Sequence, residues 1–278
     1  MRVAFGMGML CLTSPVSAQT SSMDGRATSP VIEAQPTQQP SIVPSGRPAG
    51  TPQGWSITIG AAPVLSPAWQ GSQDMALSLF PDLRVAYGDV FFASVPDGAG
   101  LNLIRRDGWR AGPIVKVRFG RDENGRGSPF QIAGGSDALR GFGDIGAAGE
   151  AGGFVEKRFG DREGWRTRFE VRRGFGGHQG IIADISLARS GRSGRFAWSL
   201  GPRATLVSAD VARTYFGIDA GQSQRTGLAS YTPEGGLLSA GIGGSAVRPL
   251  DRSSALTLLG GLDWLGNVAG RSPLIRER

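Results

Sequence analysis

The chain has 278 residues, of which 45 are glycine; 40% are apolar, only 19% are charged, and the formal charge is +7 at neutral pH. That much glycine excludes a helical bundle, and that much apolar content excludes a wholly disordered chain. One cysteine and one histidine exclude a disulfide framework, a cysteine nucleophile and a thiolate or histidine metal cluster.

No run approaches the ~18 consecutive apolar residues of a membrane-spanning helix, so any entry into a bilayer must use strands. The chain opens as a secretory signal: Met1 and Arg2, an apolar core from Val3 to Leu12, then Pro15-Val16-Ser17-Ala18-Gln19 as a small-x-small cleavage site. Cleavage is expected after Ala18, which makes 1–18 the signal. Cys11 lies inside it behind Leu10, where a lipidation site would want a small residue. Residues 19–53 are rich in Ser, Thr, Gln and Pro, with Pro30, Pro36, Pro40, Pro44, Pro48 and Pro52 interrupting any ladder or helix. They are expected to be disordered, as an unstructured leader or a tether. Only Lys116 and Lys157 among the basic residues are lysine, the rest being arginine. A basic exported chain suits anionic lipids, solutes or polymers, and nucleic acid is a poor partner in that compartment.

Residues 54–278 have one texture and are expected to form one domain. Hydrophobicity alternates with a period of two over 55–62, 75–87, 109–119, 145–159, 165–172, 180–189, 195–207, 235–248 and 253–264, which predicts strands. In 109–119, Trp109, Val115, Val117 and Phe119 share one parity while Arg110, Lys116 and Arg118 take the other. In 165–172, Trp165, Phe169 and Val171 alternate with Arg166, Arg168 and Arg172. Turn formers separate the runs, among them Ser190-Gly191-Arg192-Ser193-Gly194 and Arg248-Pro249-Leu250-Asp251-Arg252. A soluble sandwich would hide the apolar parity and wet the charged one, whereas an outer-membrane barrel does the reverse. Export, long strands and aromatic residues near strand ends (Trp55, Trp109, Phe119, Phe159, Trp165) favour an all-β, antiparallel transmembrane barrel.

The order of several short motifs resembles one family. Gly71-Ser72-Gln73-Asp74, Tyr87-Gly88-Asp89-Val90-Phe91-Phe92-Ala93-Ser94 and Gly98-Ala99-Gly100-Leu101-Asn102-Leu103 come first. Leu139-Arg140-Gly141-Phe142-Gly143-Asp144-Ile145, Thr214-Tyr215-Phe216-Gly217-Ile218, Gly227-Leu228-Ala229-Ser230-Tyr231 and Ser272-Pro273 follow. Over essentially all of 54–275 the chain resembles the MltA-interacting protein/OmpV (MipA/OmpV) family. The resemblance implies an outer-membrane β-barrel of a Gram-negative bacterium that links a lytic transglycosylase to a penicillin-binding protein, or else a porin-like or adhesive protein. It implies no catalytic residues. Family members normally continue past Arg271-Ser272-Pro273 through one more strand to a terminal aromatic, whereas here the chain ends at Arg276-Glu277-Arg278. About eleven alternating segments, against about twelve (10–12) for an even-numbered barrel, leave two expectations: a last strand is missing, or an earlier segment closes the sheet.

Three features suggest chemistry. Gly141-Phe142-Gly143-Asp144-Ile145-Gly146 fits a dinucleotide glycine pattern, but alternation rather than helical periodicity follows it, so a loop leading into a strand is expected. His178, in Gly176-Gly177-His178-Gln179-Gly180, reads as part of a hairpin connection with no indicated carboxylate partner. Arg110, Lys116, Arg118, Arg166, Arg168 and Arg172 are candidate lumen-lining residues that would favour anions. Alternatively they pair with Glu150, Glu156, Glu170, Asp82 or Asp184 and fill a narrow barrel. The weakly alternating 208–234 stretch, with Tyr215, is either a recognition loop or an in-folded plug. The chain is therefore expected to be non-enzymatic. It reads as a scaffold for peptidoglycan enzymes or a small anion-favouring channel, in contact with outer-membrane lipid.

Overall fold

The structure is a computed structural model that describes residues 3–6, 10–16, 54–124, 130–160, 164–251 and 253–277. The segment 19–53, expected to be disordered, lies outside the described residues. In chain order the strands are β1 (Val3–Gly6), β2 (Leu10–Val16), β3 (Trp55–Pro67), β4 (Met75–Tyr87), β5 (Phe91–Ser94), β6 (Gly98–Leu101), β7 (Ile104–Arg106), β8 (Trp109–Arg118) and β9 (Gln131–Gly134). A 3-10 turn at Asp137–Leu139 precedes β10 (Ala148–Phe159), β11 (Trp165–Gly176), β12 (Ile181–Ser193) and β13 (Phe196–Val207). Helices α1 (Ala209–Phe216) and α2 (Ala220–Thr226) come before β14 (Gly236–Pro249) and β15 (Ala255–Leu265), and the short helices α3 (Asn267–Gly270) and α4 (Pro273–Arg276) end the described chain.

All pairings are antiparallel, and the sheet runs β2-β3-β4-β5-β6-β8-β10-β11-β12-β13-β14-β15 before β15 returns to β2. The order closes a ring of twelve. The closing strand comes from the stretch that reads as an export signal: β2 pairs Leu12 with Ala61 of β3 on one side and with Leu256 of β15 on the other. Of the two expectations for the last place in the sheet, an earlier segment takes it in this structure. The predicted runs become β3, β4, β8 and β10–β15, each with period-two burial. The short strands β5, β6, β7 and β9 lie outside the predicted runs, because four residues or fewer carry too little alternation to register.

The burial pattern is inverted relative to a soluble protein. Along β8, Trp109, Val115 and Val117 are exposed while Ile114 is buried and Lys116 and Arg118 are half-buried. Along β12, Ile181, Ile185 and Leu187 are exposed while Asp184 and Ser186 are buried. Two glycine effects shape this sheet. Asp107 and Gly108 both take positive φ (51° and 75°) in the two-residue turn between β7 and β8, the conformation that suits right-twisted hairpins. At Gly152 on β10, a Cβ would stand 1.9 Å from the Val171 carbonyl oxygen, so the β10–β11 approach requires glycine.

The two ends of the ring differ. Short turns join β10 to β11, β12 to β13 and β14 to β15 at one end. In the last of these, the Asp251 carboxylate accepts from the Ser254 hydroxyl and from the Ser253 amide (2.6 Å) and hydroxyl (2.9 Å), bonds that lower its pKa to about 2. At the other end, the connections 68–74, 130–147 and 208–235 and the segment after β15 pack together. Trp69, Leu139, Phe142, Phe216, Ile218, Leu228, Val268, Leu274 and Ile275 form an apolar cluster there with Ile182, Val207 and Leu238 of the strands. Within the weakly alternating 208–234 stretch, α1, Ile218 and Leu228 are thus packed inward while α2 buries no residue, and the short helices α1–α4 are the exception to an otherwise all-β expectation.

Candidate functional site

Strand register brings charges from β8, β10, β11 and β12 together on the buried face. Glu170 of β11 stands directly opposite Asp184 of β12, a like-charge pair that is destabilising unless cations intervene. Arg172, two residues along the same face and 1% exposed, supplies one. Its Nε donates to Glu150 Oε2 (2.7 Å), its Nη2 to Asp184 Oδ2 (2.8 Å) and its Nη1 to Glu170. Lys116 Nζ reaches Glu170 Oε1 at 2.7 Å, and Arg118 Nε donates to Glu150 Oε1 at 2.5 Å. Thr205 of β13 donates to Asp184 Oδ1 at 2.7 Å.

Toward the short-turn end the pattern continues. Glu156 accepts from Arg158 (2.9 Å) and Arg168 (3.5 Å), and Arg166 interacts with it electrostatically. Arg168 also donates to Glu170 (2.9 Å) and lies 4.1 Å from the Phe154 ring centroid. Arg110 bonds Asp89 at 3.3 Å. On the far wall, Arg203 of β13 makes a two-point contact with Asp263 of β15, Nε to Oδ1 at 2.9 Å and Nη2 to Oδ2. Lys116, Arg118, Arg158, Arg166, Arg168 and Arg172 therefore face Glu150, Glu156, Glu170 and Asp184, six cations against four carboxylates. Buried ion clusters of this kind specify register and fill space; removing a single member exposes the desolvation cost of the others.

From the sequence, His178 is expected to be a connection residue without a carboxylate partner. The structure corrects the second half: it lies in the β11–β12 connection, but its ring folds inward, fully buried, with Nε2 3.1 Å from Glu150 Oε1. Gly174 leaves the ring its place, since a Cβ there would fall 2.1 Å from the imidazole.

The inner segment is tied to the wall and to the 119–147 connection by polar hooks. Arg121 Nη1 donates to the Tyr215 carbonyl (2.7 Å), Ser272 Oγ to the Phe216 carbonyl (2.8 Å), and Gln222 Nε2 to the Phe142 carbonyl (2.8 Å). The amides of Gly141 and Gly143, the glycine pattern that could have cradled a phosphate, donate instead to Glu123 Oε2 at 3.0 and 2.9 Å. An internal carboxylate satisfies that loop, and no helix follows it before β10. Around Tyr215 several buried polar atoms have no partner: its own hydroxyl, Arg121 Nε and His178 Nδ1. Burial pushes the Tyr215 phenol above its ordinary value and brings Arg121 down to about 10.

A phenol that resists ionisation holds its proton more tightly folded than unfolded. Its contribution to stability is therefore complete below the unfolded pKa of about 10 and is lost as pH rises through the higher folded value. Tyr215→Phe should remove the alkaline loss. At neutral pH it should change stability by less than about 1 kcal/mol, because the deleted hydroxyl has no bond to lose. Urea midpoints between pH 8 and 11 would measure both effects.

Among the described residues no group of three or more His, Cys, Asp or Glu is placed to hold a metal ion. An antiparallel ring with its charged parity turned in and its apolar parity turned out is a transmembrane β-barrel, here with an occupied interior. Residues 59–278 match the family described as MltA-interacting protein MipA, and the chain belongs to that family. Among solved structures, the crystal structure of Pseudomonas aeruginosa OccK8 (OprE) is similar at 11% identity, covering 96% of this chain and 72% of that one, with a TM-score of 0.27. No curated protein is significantly similar in sequence.

Proposed function

We propose that this chain is a non-enzymatic barrel of the Gram-negative outer membrane whose role is structural: a docking partner for peptidoglycan-processing enzymes, a lytic transglycosylase and a penicillin-binding protein. The single observation that carries a structural role over transport is the occupied interior, where Arg172, Lys116 and Arg118 are bound into carboxylates from three strands and α1 packs across one end through Val211, Ala212 and Phe216. The family's own name, an interactor of MltA, supports the choice of partner. Residues 1–18 serve as the export signal, cleaved after Ala18, and residues 19–53 as an unstructured leader. When 1–18 leave, the edges of β3 and β15 need another strand, since unpaired backbone groups in lipid cost several kcal/mol each. Affinity capture from envelope extracts should recover a murein hydrolase or synthase; repeated capture of neither would end the docking proposal.

A second reading has one observation in its favour, the excess of interior cations. Arg110, Lys116, Arg118, Arg166, Arg168 and Arg172 would then line a narrow lumen that favours anionic solutes. Planar bilayers separate the two. The structural reading expects no steady conductance, and a steady anion-selective current would replace it with the channel.

A further inference from the structure

The outer face of the short-turn rim carries a repeated pairing of cation and aromatic ring that the interior network does not use. Lys157 of β10 lies over Trp109 (4.9 Å to the ring centroid) and Phe159 (5.6 Å). Arg189 of β12 lies over Trp165 (5.9 Å), and Arg248 of β14 over Phe196 (5.6 Å). All four rings are exposed, between 39% and 51%. The pairing follows from register: Lys157 stands opposite Trp109, Phe159 opposite Trp165, and Trp165 opposite Arg189. It therefore continues from one strand to the next along the same rim. Exposed Arg105, Arg106, Arg192 and Arg195 extend the positive charge, while Asp107 and Asp251 are the exposed acids among the described residues of these strands and turns.

We infer that this rim is a binding surface for anionic glycerophospholipid headgroups, a reading that rests on the barrel crossing a membrane. Indole and phenyl rings settle at headgroup depth, and a cation held over a ring is carried at the same depth with its charge directed at the phosphate layer. Lys157 also donates to the Asp107 carbonyl at 2.6 Å, which fixes the ammonium beside the rings without neutralising it. Short turns lie on the periplasmic side of outer-membrane barrels, which places this rim in the phospholipid leaflet. The opposite rim supplies an internal control. Arg173 lies over Phe175 at 6.0 Å in the same kind of contact, but near the end of β11 closest to the packed connections.

The test uses the full chain in nanodiscs of phosphatidylethanolamine, phosphatidylglycerol and lipid A in fixed proportion, with the lipids that stay bound after detergent extraction weighed by mass spectrometry. Phosphatidylglycerol should be enriched over its bulk share, less so at high salt. Lys157→Gln, Arg189→Gln and Arg248→Gln should lower the enrichment, by up to about fivefold for each cation removed; Arg173→Gln should leave it unchanged. Each variant can be read alone, so the inference does not depend on the triple variant folding. Three results would overturn it: no enrichment in the parent chain, an equal loss in Arg173→Gln, or preferential retention of lipid A. Heat-modifiable migration on gels is recorded in parallel. A chain that inserts and migrates as a barrel without lipid preference refutes only this inference, whereas one that never does so refutes the barrel reading beneath it.

Discussion

Arg172→Met is expected to destabilise the barrel by about 3–5 kcal/mol, the loss associated with breaking a buried ion cluster from one side. The guanidinium touches Glu150, Glu170 and Asp184, and both it and Glu150 are buried almost completely. Methionine fills much of the volume but leaves three carboxylates short of one cation, with Glu170 and Asp184 still directly opposite each other. Lys116 and Arg118 remain, which sets the loss at a few kcal/mol rather than outright failure to fold. Arg172→Lys should fall between the two, because an ammonium keeps the charge but cannot reach three carboxylates with a planar fork. Urea titration of vesicle-inserted protein, read by tryptophan emission and by the heat-dependent gel shift, measures both. A Met variant as stable as the parent would mean that water or protons already compensate these carboxylates.

Phe216→Ala should have a comparable cost, about 3–5 kcal/mol for a phenyl ring removed from a packed site. Its consequence differs in kind. Phe216 is 2% exposed at the end of α1, and its carbonyl receives the Ser272 hydroxyl. The lost contacts hold the inner segment in place, while the ladders β10–β11–β12–β13 do not involve the ring. The barrel itself should persist, still heat-modifiable, while protease cleavage within 208–234 accelerates. Planar bilayers should show brief openings absent from the parent chain. Cleavage at the parental rate with a silent bilayer would show that the polar hooks at Arg121, Gln222 and Ser272 suffice without the ring.

Much of the barrel can be read from alternation because a strand's two faces are a local property. The parity of Trp109, Val115 and Val117 against Lys116 and Arg118 is visible within ten residues, and so is the same contrast around Trp165 and Arg172. The stretch 208–234 was legible as a break in that alternation, though not as two helices. Asp219 and Gln222 at capping-box spacing and Gly227 as a left-handed C-cap (φ 75°) were the local signs of α2.

The site was less legible, since its contacts span strands. Sequence can offer Glu150, Glu156, Glu170 and Asp184 as partners for the basic face, but only register assigns Arg172 to three of them and Arg118 to Glu150, 32 residues away. His178 is the clearest case. Nothing within its glycine-rich surroundings points to Glu150, 28 positions earlier, and it meets that carboxylate because β10 and β11 pair along their full length.

The sequence by itself determined that this chain builds strands with one greasy and one charged face, since period-two alternation and turn residues act over a few positions. Tertiary structure decided which face turns inward against which partners and which connections fold into the ring. Those outcomes depend on pairing between residues distant in the chain, and unpaired backbone groups and unpartnered charges are too costly in a low-dielectric setting for that pairing to be arbitrary.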